Sequence, residues 1–231
     1  MKKVIKINKI VGFKNDDKGF HENYYAGRSP ANIPKPFIMT VSGKPNTGKS
    51  NTVKNIIVAI QGSPNKKEHF DEIYICHGAA EETSEWDILD PTEIFSEIPS
   101  YSDFDSKKKK LIVFDDIDFS KISKDELKKI SQLVRFGASH FNINQIYVNQ
   151  NYFKIPSVIR QNSNCFVVYR PDSRDELTTI GRRLNLDKHS IRKVFDIHCP
   201  HFRDFLFVDL TCSAPHKYYK NLFEPIDVDE D

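Results

Sequence analysis

The sequence predicts an α/β fold built on a mainly parallel central sheet, and three observations predict it. Short apolar runs recur at Phe37 to Val41, Glu72 to Cys76, Leu111 to Phe114, Gln145 to Val148 and Phe166 to Tyr169. Between runs the apolar residues switch to helical spacing, as in Val53, Ile56, Ile57 and Ile60. The runs are continuous, which is the pattern of strands buried on both faces. Strands that alternate with helices form a parallel sheet covered on both sides.

Each element has its own signal. Residues 1–36 mix short apolar stretches with Gly, Asn, Asp and Pro, and Val4 to Phe13 reads as an edge strand or an arm. The main domain is expected over residues 37–222. Phe37 to Val41 ends in Ser-Gly, and the helix after it is stopped by Gly62-Ser63-Pro64. Glu72 to Cys76 follows a polar linker, and Gly78 to Lys110 reads as irregular, acidic first and then lysine-rich. Asp115-Asp116 terminates the third strand. Lys124 to Phe136 has the spacing of an amphipathic helix closed by Gly137. Asp172 to Leu184 and Lys188 to Phe195 read as helices, Asp204 to Leu210 as a late strand, and residues 223–231 as an acidic tail whose end, DVDED at 227–231, reads as disordered.

Composition narrows the classes. The charged residues are 34 Lys and Arg against 32 Asp and Glu, a formal charge of +2. That near-balance neither requires nor excludes nucleic acid, since a contact surface needs local charge. No apolar run approaches the roughly 20 residues that cross a bilayer, so membrane insertion is not expected. The start, MKKVIKINKI, interrupts its apolar residues with Lys and Asn and lacks the core of a secretory signal. Cys76, Cys165, Cys199 and Cys212 form no CxxC pair, and reduced thiols in an intracellular compartment are expected.

The chemistry concentrates between the first strand and its helix. Gly43, Lys44, Pro45, Asn46, Thr47, Gly48, Lys49 and Ser50 spell G-x-x-x-x-G-K-S, with Asn51 next on the helix. The glycines let the backbone wrap until its N–H groups point at phosphate oxygens. The helix adds its free N–H groups and the positive end of its dipole. Lys49 is placed to bridge the β- and γ-phosphates of ATP, and the Ser50 hydroxyl to ligate Mg2+. The bland alternative, a chance match in a Gly-containing turn, is disfavoured by the strand before it and the helix after it.

LIVFDD supplies the second half of the expected site. An apolar strand carries Asp115 to the C-terminal edge of the sheet, where open α/β folds bind ligands. Asp115 is the expected Mg2+ ligand and Asp116 the residue that orients or deprotonates water. The extra strand between the phosphate-loop strand and LIVFDD resembles the P-loop division of RecA-like motors, helicases and AAA+ proteins. No NKxD base-recognition sequence is evident.

A longer resemblance rests on Ile146 to Arg170, IYVNQNYFKIPSVIRQNSNCFVVYR. A strand ending in Gln150, an aromatic-Lys-Ile-Pro turn and an Arg-x-Asn helix resemble the poxvirus-type genome packaging ATPases of the FtsK–HerA superfamily. The similarity runs from about Phe37 to about Tyr219. It implies a P-loop ATPase, a homo-oligomeric ring of five or six subunits that drives double-stranded DNA into a capsid. It also implies capsid proteins as partners, and an intracellular setting at the viral assembly site, with the virion as a second location.

By position the resemblance makes Asp115 and Asp116 the Walker B pair and Gln150 the polar sensor of the γ-phosphate. Family members often carry an Arg-His pair just before the fourth strand; here the stretch is Gly137-Ala138-Ser139-His140, without the arginine. Arg160 is then the first candidate for a finger donated across a subunit boundary, and Arg135 the alternative. Two basic regions are candidates for DNA phosphates: Lys107 to Lys110, for which solvated lysines are the favoured reading, and Arg182, Arg183, Lys188, Arg192 and Lys193. The spacing of His198, Cys199, His201, Cys212 and His216 fits no zinc pattern. The competing functions are a P-loop enzyme such as a small-molecule kinase, and an ATP-dependent DNA-binding clamp with little turnover.

Overall fold

The computed structural model describes residues 33–34, 36–63, 69–80, 84–212 and 217–228. The expected strand or arm at Val4 to Phe13 lies outside them. The described chain is α/β, with a nine-stranded sheet in the order β3-β2-β4-β5-β1-β6-β7-β8-β9. Its strands are β1 (Ile38–Ser42), β2 (Glu72–His77), β3 (Glu93–Phe95), β4 (Lys110–Asp115), β5 (Ile143–Asn149), β6 (Cys165–Tyr169), β7 (Phe205–Asp209), β8 (Tyr218–Lys220) and β9 (Glu224–Pro225). β3 through β6 in that order are mutually parallel, and β7, β8 and β9 add antiparallel at one side.

Successive residues of each central strand feed opposite layers, as the two-residue period of a strand requires. Met39, Val41, Val113, Ile146, Val148 and Val167 pack against Val53, Ile56, Ile57 and Ile60 of helix α1 (Lys49–Gln61). Ile38, Ile112, Phe114, Tyr147 and Phe166 face the other layer, formed with α2 (Lys124–Gln132), α4 (Ser157–Asn162), α5 (Arg174–Arg183) and α6 (Lys188–Lys193). Phe114 and Tyr147 stack there with ring centroids 4.6 Å apart.

Three expectations are revised. The helix from Lys124 does not close at Gly137: α2 passes into a π-helical turn, Leu133–Gly137, and then α3 (Ala138–His140). Gly137 keeps helical angles (φ −57°). A Cβ there would lie 3.0 Å from the Gln145 side-chain nitrogen, so the glycine serves close approach to β5 and not chain reversal. The stretch expected to be irregular holds β3 and two 3-10 turns, Asp87–Leu89 and Tyr101–Asp103. The stretch expected to be an acidic tail is folded through Val228: β9 pairs with β8, and Ile226 is 2% exposed.

The Lys107 to Lys110 run lies at the start of β4, the sheet end opposite Asp115. Lys108 pairs with Glu72. Lys110 is fully buried and donates to the Asp105 and Lys108 carbonyls. Lys107, Lys108 and Lys109 of that run are exposed.

Candidate phosphate-binding site

The loop that leaves β1 begins with Gly43, whose lack of a side chain is imposed by a neighbour. A Cβ there would sit 2.5 Å from the Cβ of Tyr169 on the adjoining strand β6. Asn46 (φ 64°) and Gly48 (φ 100°) take left-handed backbone and curl the loop back onto α1; glycine, and next to it asparagine, tolerate that region best. Thr47 is buried and its hydroxyl donates to the Lys44 carbonyl at 2.9 Å. Pro45 and Asn46 are the exposed tip, and Asn51 is exposed on the first turn of α1. Gly48 caps α1 without a side-chain bond, and no acidic residue occupies the first turn. The N-terminal N–H groups of the helix therefore remain available to an anion.

Lys49 is half-buried and its Nζ donates to the Lys44 carbonyl at 2.7 Å. Burial lowers its pKa, and the charges of Asp115 and Asp116 act in the opposite direction. Asp115, at the end of β4, is buried and accepts a hydrogen bond from Ser50 Oγ on Oδ2 at 3.1 Å. Burial raises the pKa of its carboxyl; the Ser50 bond opposes this, Glu85 and Asp116 add to it, and His77 opposes it. Ser50 and Asp115 are two hard oxygen donors within hydrogen-bond reach of each other, a donor set that fits Mg2+.

Asp116 is exposed and left-handed (φ 55°). Its backbone N–H donates to Asp115 Oδ1 at 3.0 Å. Gly78, just past β2, lies so close that a Cβ would meet the Asp116 carbonyl at 2.6 Å. Gln150 is exposed immediately after β5, the strand between β1 and β4. The topology thus brings the loop, the Asp115-Asp116 pair and Gln150 to one edge of the sheet. Arg160 stacks its guanidinium 5.2 Å from the centre of its own Tyr152 ring, with Nε buried and unpartnered. Arg135 is exposed on the π-helical turn before β5.

Several supporting residues carry no motif. Tyr169 hydroxyl and Thr52 Oγ1 are 2.6 Å apart, which ties β6 to α1. Burial pushes the Tyr169 phenol up to about 12. Lys44 pairs with Asp172, beyond β6. Glu176 of α5 accepts the Tyr152 N–H at 2.6 Å and so fixes the chain that follows Gln150. Their signal is tertiary: each partner lies on another element, so spacing along the chain does not show it. Glu85 was as hidden; it pairs with Lys54 at 2.8 Å, and its charge reaches Asp115.

No protein-family model matches the chain. No sequence match is found among curated proteins. Solved structures do match. B204, the DNA-packaging ATPase from Sulfolobus turreted icosahedral virus, is 14% identical with a TM-score of 0.57, over 84% of this chain and 99% of that one. The fold is thus similar to that of a DNA-packaging ATPase. A similar fold is met in the genome packaging NTPase B204 from Sulfolobus turreted icosahedral virus 2 in complex with AMPPCP, at 13% identity and a TM-score of 0.53, over 80% of this chain and 96% of that one. The pCW3 conjugation coupling protein TcpA, with ATPγS, is 16% identical with a TM-score of 0.52, over 84% of this chain and 61% of TcpA. The resemblance read from Ile146 to Arg170 thus holds at the level of the fold. Among the described residues, no helix is long and apolar enough to cross a membrane and no group of three or more His, Cys, Asp or Glu side chains is placed to hold a metal ion.

Proposed function

We propose that the chain is an ATP-hydrolysing motor that moves double-stranded DNA into a viral capsid as a homo-oligomeric ring. The observation that carries the chemistry is the 3.1 Å contact of Ser50 with Asp115, which joins the phosphate loop to the acidic strand. That one of the similar structures holds AMPPCP and is titled a genome packaging NTPase supports the nucleotide and the task.

In this reading the backbone from Gly43 to Gly48 and the first turn of α1 bind the phosphates of ATP. Lys49 exchanges its bond to the Lys44 carbonyl for the β- and γ-phosphates. Ser50 and Asp115 would hold Mg2+, which when bound neutralises charge on the phosphate oxygens. Asp116 takes the proton of the attacking water, and the Gln150 amide orients that water against the γ-phosphate. A finger must reach a neighbour's site, and the exposed Arg135 is better placed for that than Arg160, which packs on its own Tyr152.

ATP hydrolysis by the purified chain, with and without long duplex DNA, tests the whole reading. DNA is expected to stimulate turnover. Lys49→Ala should lose nucleotide binding, and Asp116→Asn should keep binding while turnover falls by roughly a hundredfold or more. Equal turnover with and without DNA would remove the motor and favour a small-molecule kinase; tight ATP binding without turnover would favour a clamp. In mixed rings, Arg135→Ala subunits should depress activity beyond their share, and simple dilution would show that the finger lies elsewhere.

A further inference from the structure

A further carboxylate stands near the Ser50–Asp115 pair, and it comes from a segment without a motif. Residues 84–86, Ser-Glu-Trp, lie between β2 and the 3-10 turn Asp87–Leu89. Trp86 anchors them, fully buried in the same layer as Val53, Ile56, Ile57 and Ile60 of α1. Its indole N–H has no hydrogen-bond partner, so packing alone holds the ring. Lys54 of α1 lies 5.1 Å from the centre of that ring, within reach of a cation–π contact. The same Lys54 Nζ donates to Glu85 Oε1 at 2.8 Å.

Helical spacing turns these contacts into a position. Ser50 and Lys54 are four residues apart on α1 and share one face, about 6 Å apart along the axis. Ser50 meets the Asp115 carboxylate and Lys54 meets the Glu85 carboxylate. One face of α1 therefore engages both acids, a turn apart. Burial raises the Asp115 pKa most, and the Glu85 charge adds to it. The Lys54 side chain is only 13% exposed, whereas Glu85 is 45% exposed and keeps access to water. Two carboxylates that feel each other repel unless a cation comes between them. Mg2+ suits such a place, since it binds few protein oxygens directly and keeps several of its waters. Those waters need acceptors, and a carboxylate, with about four lone-pair sites, is not exhausted by one lysine.

We infer that Glu85 is a positioning residue for the metal: held by Lys54 beside Trp86, it accepts hydrogen bonds from water on the Mg2+ that Ser50 and Asp115 would hold. The inference rests on the ATP-site reading above and adds to it a residue outside both motifs. The competing role is an ion pair that only fastens residues 84–86 to α1.

The test measures the Mn2+ affinity of the full chain bound to AMPPCP, with Mn2+ as the probe for Mg2+, by electron paramagnetic resonance. AMPPCP affinity without metal is measured beside it. Glu85→Gln keeps the shape of a half-exposed side chain and should weaken Mn2+ binding by roughly tenfold or more, as loss of an outer partner does at other metal sites. AMPPCP affinity without metal should hold. Lys54→Met breaks the same ion pair but leaves the carboxylate and removes a cation, so it should not weaken Mn2+ binding. Equal weakening in both variants would show an ion pair that only fastens the segment, and would overturn the role of Glu85. If the unaltered chain binds AMPPCP and Mn2+ and Glu85→Gln binds Mn2+ as tightly, the role of Glu85 falls alone. If the unaltered chain binds no AMPPCP, the ATP-site reading falls and takes the role of Glu85 with it.

Discussion

At the scale of single residues, Asp115 carries opposed demands. Burial raises its pKa, so the folded chain holds this proton where the unfolded chain has released it. The sign follows. The group's contribution to stability is complete below the ordinary carboxylate value and declines as pH rises through the raised one. In the metal-free chain, Asp115→Asn should therefore remove that decline and raise the melting temperature at neutral pH, by about 2–4 °C for each kcal/mol recovered. Melting curves of the two chains from pH 4 to 8 check it, and a variant that melts lower at pH 7 would contradict the account. Gly78 gives a second test. Gly78→Ala pushes on the Asp116 carbonyl, so turnover should fall several-fold while nucleotide affinity holds; equilibrium binding beside steady-state rates would separate the two. Lys49, Ser50, Asp115 and Asp116 were legible because each falls within a contiguous string of fixed spacing. Gly78, Tyr169 and Glu176 were not, because each acts on a residue that only folding brings near.

At the scale of elements, the π-helical turn Leu133–Gly137 shows where periodicity stops informing. A π turn widens the helix by one residue and leaves its carbonyls without regular partners. Gln145, buried in β5, answers this: its Nε2 donates to the Leu133 carbonyl at 2.8 Å, and its Oε1 accepts from the Tyr147 hydroxyl at 2.7 Å. Gln145→Leu would strand two buried polar groups and should cost about 1–3 kcal/mol for each one left unpaired, read by chemical denaturation. A cost under half a kcal/mol would mean that water or another side chain replaces the amide. The sequence shows amphipathic spacing up to Phe136 and then a glycine, which reads as a stop. Only the approach of Gly137 to Gln145 reveals that the helix continues.

At the scale of the whole molecule, the parallel core and the late strand β7 were legible, and the two short strands beyond it were not. The runs at β1, β2, β4, β5 and β6 are long and apolar, and each sits in the middle of the sheet. β8 and β9 have three and two residues, and β9 contains Pro225, too little for any run to register. Ile226 is nonetheless buried among acidic neighbours, so Ile226→Ala should destabilise the chain by about 2–5 kcal/mol, as other buried isoleucines do. A loss near zero in denaturant titration would show that the end of the described chain is not part of the core.

β5 has a consequence of its own. It is a seven-residue strand, Ile143–Asn149. One end delivers Gln150 to the edge where ATP is proposed to bind; near the other, Gln145 holds the turn that carries Arg135. On that reading the strand is a push-rod between two clocks. If Arg135 serves a neighbouring site as proposed, a shift at Gln150 would be felt at that arginine through the strand and the Gln145 bond to Leu133. Firing order around a ring would then be written into the length of one strand, and loosening Gln145 should make neighbours fire out of turn.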